Sequence, residues 1–180
     1  MLESRRPSGP PRGYRLPEAI RLGPVRLQIA DLNRSLAFYQ TTLGLRVLLR
    51  DGSRAVLGAH ESDTALVMLH ERPGARAAPK RSRLGLFHFA ILLPDRPSLG
   101  RFVRHLAELG VAAGAADHLV SESLYLQDPD NLGIEVYADR PRSTWRRVGR
   151  QLMMATDPLD ARGLERDAGA TAGQVCRAAR

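Results

Sequence analysis

The chain carries a single cysteine, Cys176, in 180 residues. That count excludes an intrachain disulfide framework and any cysteine-rich zinc site, and it fits a protein of the reducing cytoplasm. No stretch approaches the roughly 20 consecutive apolar residues that a membrane span requires, so no membrane partner is expected. Met1 to Gly13 is rich in Arg, Pro and Gly and lacks the apolar core of a secretory signal. No aromatic stripe interleaves with the basic side chains as a single-strand nucleic-acid platform would require. The net charge of +8 therefore has to be located before it is read as a footprint. Residues 1–21 hold five Arg against Glu3 and Glu18, and residues 140–180 hold nine Arg against four acidic residues. The stretch between them, 22–139, has 13 basic and 13 acidic residues and is neutral. The surplus sits in the two ends without a recognition motif, and no nucleic-acid partner is expected.

What the chain does have is the composition of a globular protein, 43% apolar and 26% charged, and an internal repeat. The first copy opens with Val25-Arg26-Leu27-Gln28-Ile29, whose apolar side chains alternate as on a half-buried strand. Asp31 is the expected N-cap of a helix carrying Leu32, Leu36, Phe38, Tyr39 and Leu43, with Gly44 as its stop. Strands are predicted at Arg46–Arg50, Arg54–Gly58 and Ala65–His70, with Asp51-Gly52 as a hairpin signal. The second copy repeats the order. Phe87 to Leu93 reads as a strand and Pro94-Asp95-Arg96-Pro97 as a break. Ser98 reads as the cap of a helix that stops at Gly110, and strands are predicted at Val111–Ala113, His118–Leu126 and Gly133–Tyr137. Arg72 to Pro79 reads as the linker. The expected fold is α+β, with two paired βαβββ modules, residues 22–72 and 85–141, forming a half-open, eight-stranded barrel-like cup. Residues 1–21 are expected to be an arm. Residues 142–180 are expected to be a partly disordered tail, with little to pack from Ala168 onward.

Several separate motifs then fall in one order. Leu27 to Tyr39 followed by Leu43-Gly44-Leu45, and Tyr125 to Asp130 followed by Gly133-Ile134-Glu135-Val136-Tyr137, resemble the opening and closing of a vicinal-oxygen-chelate module. Gly85 to Pro94, Asp117 to Glu122 and Tyr137 to Trp145 narrow this. They resemble the N-terminal half of the two-domain bacterial catechol 2,3-dioxygenases, enzymes of aromatic catabolism. The resemblance implies a first-strand His and a last-strand Glu facing one cup, matched here by His88 and Glu135 as metal ligands. It implies a divalent metal, Fe(II) first, with Mn(II), Ni(II) or Zn(II) compatible with the same nitrogen and oxygen donors. It also implies a small aromatic diol and O2 as reactants, and an acid–base or substrate-binding pair matched by His118 and Tyr125. Those two are seven residues apart and would face opposite sides of a regular strand; a bulge or a late strand start would reconcile them. His60, His70, His105, Arg26 and Glu61 read as structural or solvated.

The first module departs from the pattern. The position equivalent to His88 is Pro24 and that equivalent to Glu135 is Met68, so the ligand set is expected to be incomplete. The missing ligand is left to another chain by homo-oligomer formation or module swapping, to His118 or His60, or to water. In the closing turn, Asn131-Leu132 stands where the family has Gly-Asn. The resemblance implies a ring-cleaving extradiol dioxygenase or its metal-bearing half, with a non-catalytic ligand-binding module of the antibiotic-sequestering type, or a truncated module with the same cup, as the alternative. A glyoxalase-like isomerase is a weaker third, because that chemistry uses four protein ligands.

Overall fold

The computed structural model describes Gly13, residues 15–79 and residues 86–175, with 170–175 as helix backbone. Most of the expected arm, Gly85 and Cys176 lie outside the described residues. The first module is β1 (Val25–Ile29), α1 (Leu32–Thr41), β2 (Arg46–Asp51), β3 (Arg54–Gly58) and β4 (Ala65–Glu71). The second is β5 (His88–Leu92), α2 (Arg96–Glu108), β6 (Gly114–Asp117), β7 (Ser121–Gln127) and β8 (Gly133–Asp139). Each module forms a mixed four-stranded sheet, ordered β1-β4-β3-β2 and β5-β8-β7-β6. In both, the first and last strands pair in parallel and the other pairs are antiparallel. The α+β class and the repeated module are as the sequence implies.

Alternation decides which face each sheet buries. Leu27 and Ile29 on β1, Val67 and Leu69 on β4, and Ala55 and Leu57 on β3 are buried. So are Phe89, Leu124, Leu126, Ile134 and Val136 in the second module, and all these residues join Leu36, Tyr39, Leu99 and Leu106 of the helices in one cluster. At about 25 cal/mol per Å2 of buried apolar surface, such a cluster is the main favourable term in folding. The opposite face carries His88, Glu135 and Tyr125 in the second sheet, and Arg26, Met68 and Val56 in the first.

The modules are also joined by polar contacts from α1 to the β7–β8 turn. Tyr39 donates to Asp128 Oδ2 at 3.1 Å, the Ala30 amide donates to Asp130 Oδ2 at 2.9 Å, and Arg34 pairs with Asp130. Asn131 in that turn has φ of 66°. Asn tolerates this left-handed conformation better than most residues. The linker docks on the same turn, with Asn131 Nδ2 donating to the Ala78 carbonyl at 2.7 Å.

Three local expectations are corrected. The strand expected at Val111–Ala113 is Gly114–Asp117. After Gly110, at φ of 65°, the Val111 amide still bonds back to the Leu106 carbonyl, so the chain is finishing α2. The break at Pro94 to Pro97 is in fact the start of α2: Asp95 caps it by accepting from the Ser98 amide at 2.7 Å. Pro97 in the first turn costs no helix hydrogen bond. The strand expected from His118 begins at Ser121.

The stretch after residue 141 also packs more than expected. It forms a 3-10 turn (Arg142–Thr144), a two-residue hairpin of β9 (Arg147–Val148) and β10 (Gln151–Leu152), and α3 (Ala161–Val175). Leu164 and Ala168 of α3 are 0% and 1% exposed. They lie against α2 where Gly100 leaves no side chain; a Cβ there would stand 2.1 Å from the Leu164 carbonyl oxygen. Gly100 and Ala168 allow this close crossing around the buried Leu164, and such small residues contribute little to an apolar sequence pattern.

Candidate functional site

The strand registers place the polar side chains of the second module in one row. Ala90 of β5 pairs with Glu135 of β8, and Glu135 pairs with Tyr125 of β7. His88 is two residues before Ala90 and so faces the same side of the sheet. Core residues Phe89, Ile134, Val136, Leu124 and Leu126 occupy the other side. His88 and Glu135 therefore point to the concave face, and His88 Nε2 lies 3.3 Å from Glu135 Oε2. Two donors each about 2.1 Å from one ion stand about 3.0–3.4 Å apart for octahedral to tetrahedral angles. The spacing of this pair fits a shared divalent cation. Among the described residues no group of three His, Cys, Asp or Glu side chains has metal-ligating proximity.

His118 lies in the β6–β7 turn. Leu119 follows it at φ of 67°, and the His118 amide bonds to the Ser121 carbonyl at 2.9 Å. The turn removes the strand-parity conflict with Tyr125. His118 Nε2 is 2.7 Å from the Tyr125 hydroxyl, which also lies 3.2 Å from Glu135 Oε1. The other ring nitrogen, Nδ1, is 2.7 Å from the Ala155 carbonyl oxygen. One chain of contacts thus runs Ala155–His118–Tyr125–Glu135–His88. Burial first, and then the Glu135 charge, raises the Tyr125 pKa above the ordinary phenol value, so Tyr125 stays a proton donor at neutral pH.

The remaining histidines stay outside this chain. His60 is exposed after β3, His70 is exposed on β4, and His105 Nε2 contacts the Thr41 carbonyl at 2.8 Å. Both ring nitrogens of His118 are already hydrogen-bonded, so it is not placed as a spare ligand. The equivalence of Pro24 and His88 has a structural counterpart. Each lies seven residues before its helix N-cap, Asp31 or Asp95, and two before the strand residue that pairs with Met68 or Glu135. Arg26 and Gln28 of β1 line a cavity of about 1500 Å3 together with His88 and Tyr125.

The sequence reading missed the support beneath the site. Glu122 is 2% exposed, on the core face of β7, and Arg96 binds it through Nε at 2.6 Å and Nη2 at 3.1 Å. Arg140 contacts the same carboxylate at 3.3 Å and Asp117 at 2.5 Å, and Arg96 also pairs with Asp167 of α3. A carboxylate in the inward phase of Val120, Glu122, Leu124 and Leu126 was the available signal, since a buried charge requires a partner. The Ala155 carbonyl carried no sequence signal.

Comparison with known proteins agrees with this architecture. Residues 21–136 match the Glyoxalase/Bleomycin resistance protein/Dioxygenase superfamily. The chain is 48% identical over 153 residues to a catechol-2,3-dioxygenase of Bacillus subtilis (strain 168), covering 84% of this chain and 53% of that protein. It therefore spans about half the length of this curated relative. Among solved structures, a glyoxalase/dioxygenase from Nostoc punctiforme superposes with a TM-score of 0.59 at 21% identity, covering 73% of this chain and all of that one. The fosfomycin resistance protein FosX of Listeria monocytogenes, solved with Mn(II) and sulfate, superposes at 0.51 with 18% identity, over 69% of this chain and 95% of that one. At these identities the two structures speak for the fold alone.

Proposed function

The chain belongs to the glyoxalase/bleomycin resistance protein/dioxygenase superfamily, and on that premise we propose that it is the metal-bearing half of an extradiol dioxygenase acting on catechol-type substrates. The observation that carries this reading is the convergence of a metal-type pair, His88 and Glu135, with a proton-handling pair, His118 and Tyr125, on one concave face. His88 and Glu135 would hold a divalent ion, Fe(II) first. When bound, that ion supplies positions for the two diol oxygens and O2. A further donor would come from a second copy of the chain, by module swapping or oligomer formation, or from water.

The chain's own residues handle the diol proton. The Ala155 carbonyl can only accept, so His118 donates to it from Nδ1. In the neutral imidazole Nε2 then bears the lone pair, and the single Tyr125 proton can serve Nε2 or Glu135 but not both. One added proton on Nε2 resolves this: His118 donates to the Tyr125 oxygen and Tyr125 donates to Glu135. The constellation is one proton short of a satisfied network, which suits a base that removes a catechol proton. Glu135 keeps its orientation through the Tyr125 contact, and the pocket wall of Arg26 and Gln28 faces the same space.

The test is anaerobic reconstitution of the purified chain with Fe(II), followed by spectroscopic assay of ring cleavage with catechol. Bound iron that is lost in His88→Ala and Glu135→Gln supports the ligand assignment. Tyr125→Phe should keep the iron while slowing turnover by roughly 10–100-fold, at or below the lower end of acid–base contributions. Iron binding unaffected by both ligand substitutions would overturn the proposal. A second reading, a binding module without catalysis, is favoured by the pairing of only two donors among the described residues. It predicts catechol binding with no cleavage.

A further inference from the structure

The hydrogen bond from His118 to Ala155 reaches outside the repeated modules, and outside residues 21–136, which match the family. The segment around Ala155 is tied down on both sides. Asp117, immediately before His118, exchanges two backbone bonds with Asp157, each of 2.9 Å. Asp117 is itself fixed by its side chain, which accepts from the Leu119 amide at 2.8 Å and from Arg140 at 2.5 Å. Downstream, Leu159 packs on the core and Leu164 is fully buried against α2. Asp160 accepts from the Gly163 amide at 2.9 Å, closing the first turn of α3.

We infer that the strap Ala155–Asp157, anchored by α3, is a positioning element that selects the tautomer of His118. A carbonyl has no proton to give, so a ring nitrogen 2.7 Å from it must be the protonated one. The strap thereby holds the proton on Nδ1 and leaves Nε2 as the atom that faces Tyr125. Without it, the half-buried His118 would exchange between both tautomers, and only one of them presents a lone pair to the phenol. The Asp117–Asp157 bridge sets the distance, because it registers the strap to the residue next to His118. The inference deepens the proposed role of His118 and rests on that reading for its catalytic meaning. The tautomer itself is independent of any metal or turnover.

The experiment uses the full 180-residue chain labelled with 15N-histidine, with His118 assigned by loss of its signals in His118→Gln. Long-range proton–nitrogen correlations on the neutral ring should show Nδ1 protonated and Nε2 bare. Asp157→Pro deletes the amide that donates to Asp117 and should release His118 to the mixed tautomers of a solvated imidazole. Asp157→Ala keeps that amide and should preserve the parent tautomer. A neutral His118 protonated on Nε2 in the parent chain would overturn the inference, and this measurement needs no variant to fold. An Asp157→Pro protein that folds and retains the parent tautomer would also overturn it. A fixed Nδ1-protonated tautomer in a chain that binds iron yet never cleaves catechol supports the strap and removes the dioxygenase reading. Turnover with a mixed tautomer in the parent does the reverse.

Discussion

Pro24→His should increase Fe(II) affinity. Residue 24 precedes β1 in phase with Arg26 and Gln28, which line the cavity that His88 and Tyr125 also line. It stands seven residues before the Asp31 cap, as His88 stands before Asp95. An imidazole there would add a nitrogen donor to the proposed pair, His88 and Glu135. Structural zinc sites with four ligands are worth about 10–16 kcal/mol, or about 2.5–4 kcal/mol per ligand. Ordering a new side chain costs about 1 kcal/mol of this. The net gain of about 1.5–3 kcal/mol corresponds to about 10–150-fold tighter binding. The measurement is anaerobic Fe(II) titration of the parent, Pro24→His and Pro24→Ala chains, the last separating the loss of proline from the gain of imidazole. A change of less than about twofold between Pro24→His and Pro24→Ala would refute the reasoning, because the side chain at 24 then fails to reach the ion or another donor already occupies that place.

Glu122→Gln should lower stability by about 2–3 kcal/mol, since two guanidinium groups lose a buried charged acceptor while remaining partly hydrated; a urea-denaturation difference under about 0.5 kcal/mol would contradict the network's role. Gly100→Val must push α3 from α2, given a Cβ position 2.1 Å from the Leu164 oxygen. Early proteolytic cleavage within residues 153–169 should follow, with a loss near the roughly 1.5–3 kcal/mol of one buried leucine. Asp128 has a pKa raised chiefly by burial. Between the ordinary carboxylate value and this raised one, the folded chain holds a proton that the unfolded chain has released, so stability falls as pH rises through that window. Asp128→Asn should abolish this fall while its one amide oxygen still accepts from the Asp130 and Leu132 amides; urea midpoints measured across the acidic range would show it, and a parent midpoint that climbs there relative to the variant would contradict it.

The elements visible in the sequence are those whose side chains alternate between a buried and a wet face. β1, β3, β4 and β8 were located within one or two residues because Leu27/Ile29, Ala55/Leu57, Val67/Leu69 and Ile134/Val136 leave a period of two. β6 was misplaced because Gly114-Ala115-Ala116-Asp117 has almost no apolar contrast, whereas Val111-Ala112-Ala113 looks apolar while its backbone still closes a helix. α3 escaped for a related reason, since Gly100 and Ala168 let the helices approach closely and Leu164 is the large apolar side chain buried with them, which leaves little periodic contrast. At the site, His88, Glu135, Tyr125 and His118 were each named, but the meeting of the last two depended on one left-handed residue, Leu119, which no residue type announces. The partner of His118 Nδ1 is a backbone oxygen, and any residue at position 155 would present the same atom.

The two modules share a topology and divide the polar chemistry unequally. Across the second sheet the register reads Ala90, Glu135, Tyr125, Gly114; across the first, Arg26, Met68, Val56, Leu49. The carboxylate and phenol of one row are replaced in the other by a thioether and a β-branched chain, which cannot relay a proton. Strand order and the sense of each pairing are the same in both, although β2–β3 and β3–β4 carry register shifts, so the asymmetry along this row comes from side chains at equivalent positions. Gly114 leaves room beside Tyr125, whereas Leu49 extends the apolar strip of the first sheet at the corresponding end. The first module therefore offers an apolar wall with Arg26 at its edge, and the second offers the ionisable groups. Those groups then depend on residues 140–168: Arg140 braces Asp117, Asp157 registers the turn, and Ala155 orients His118. A cut after β8 would leave both sheets intact in sequence and remove the acceptor that fixes the imidazole, so the functional unit extends past the repeat that builds the fold.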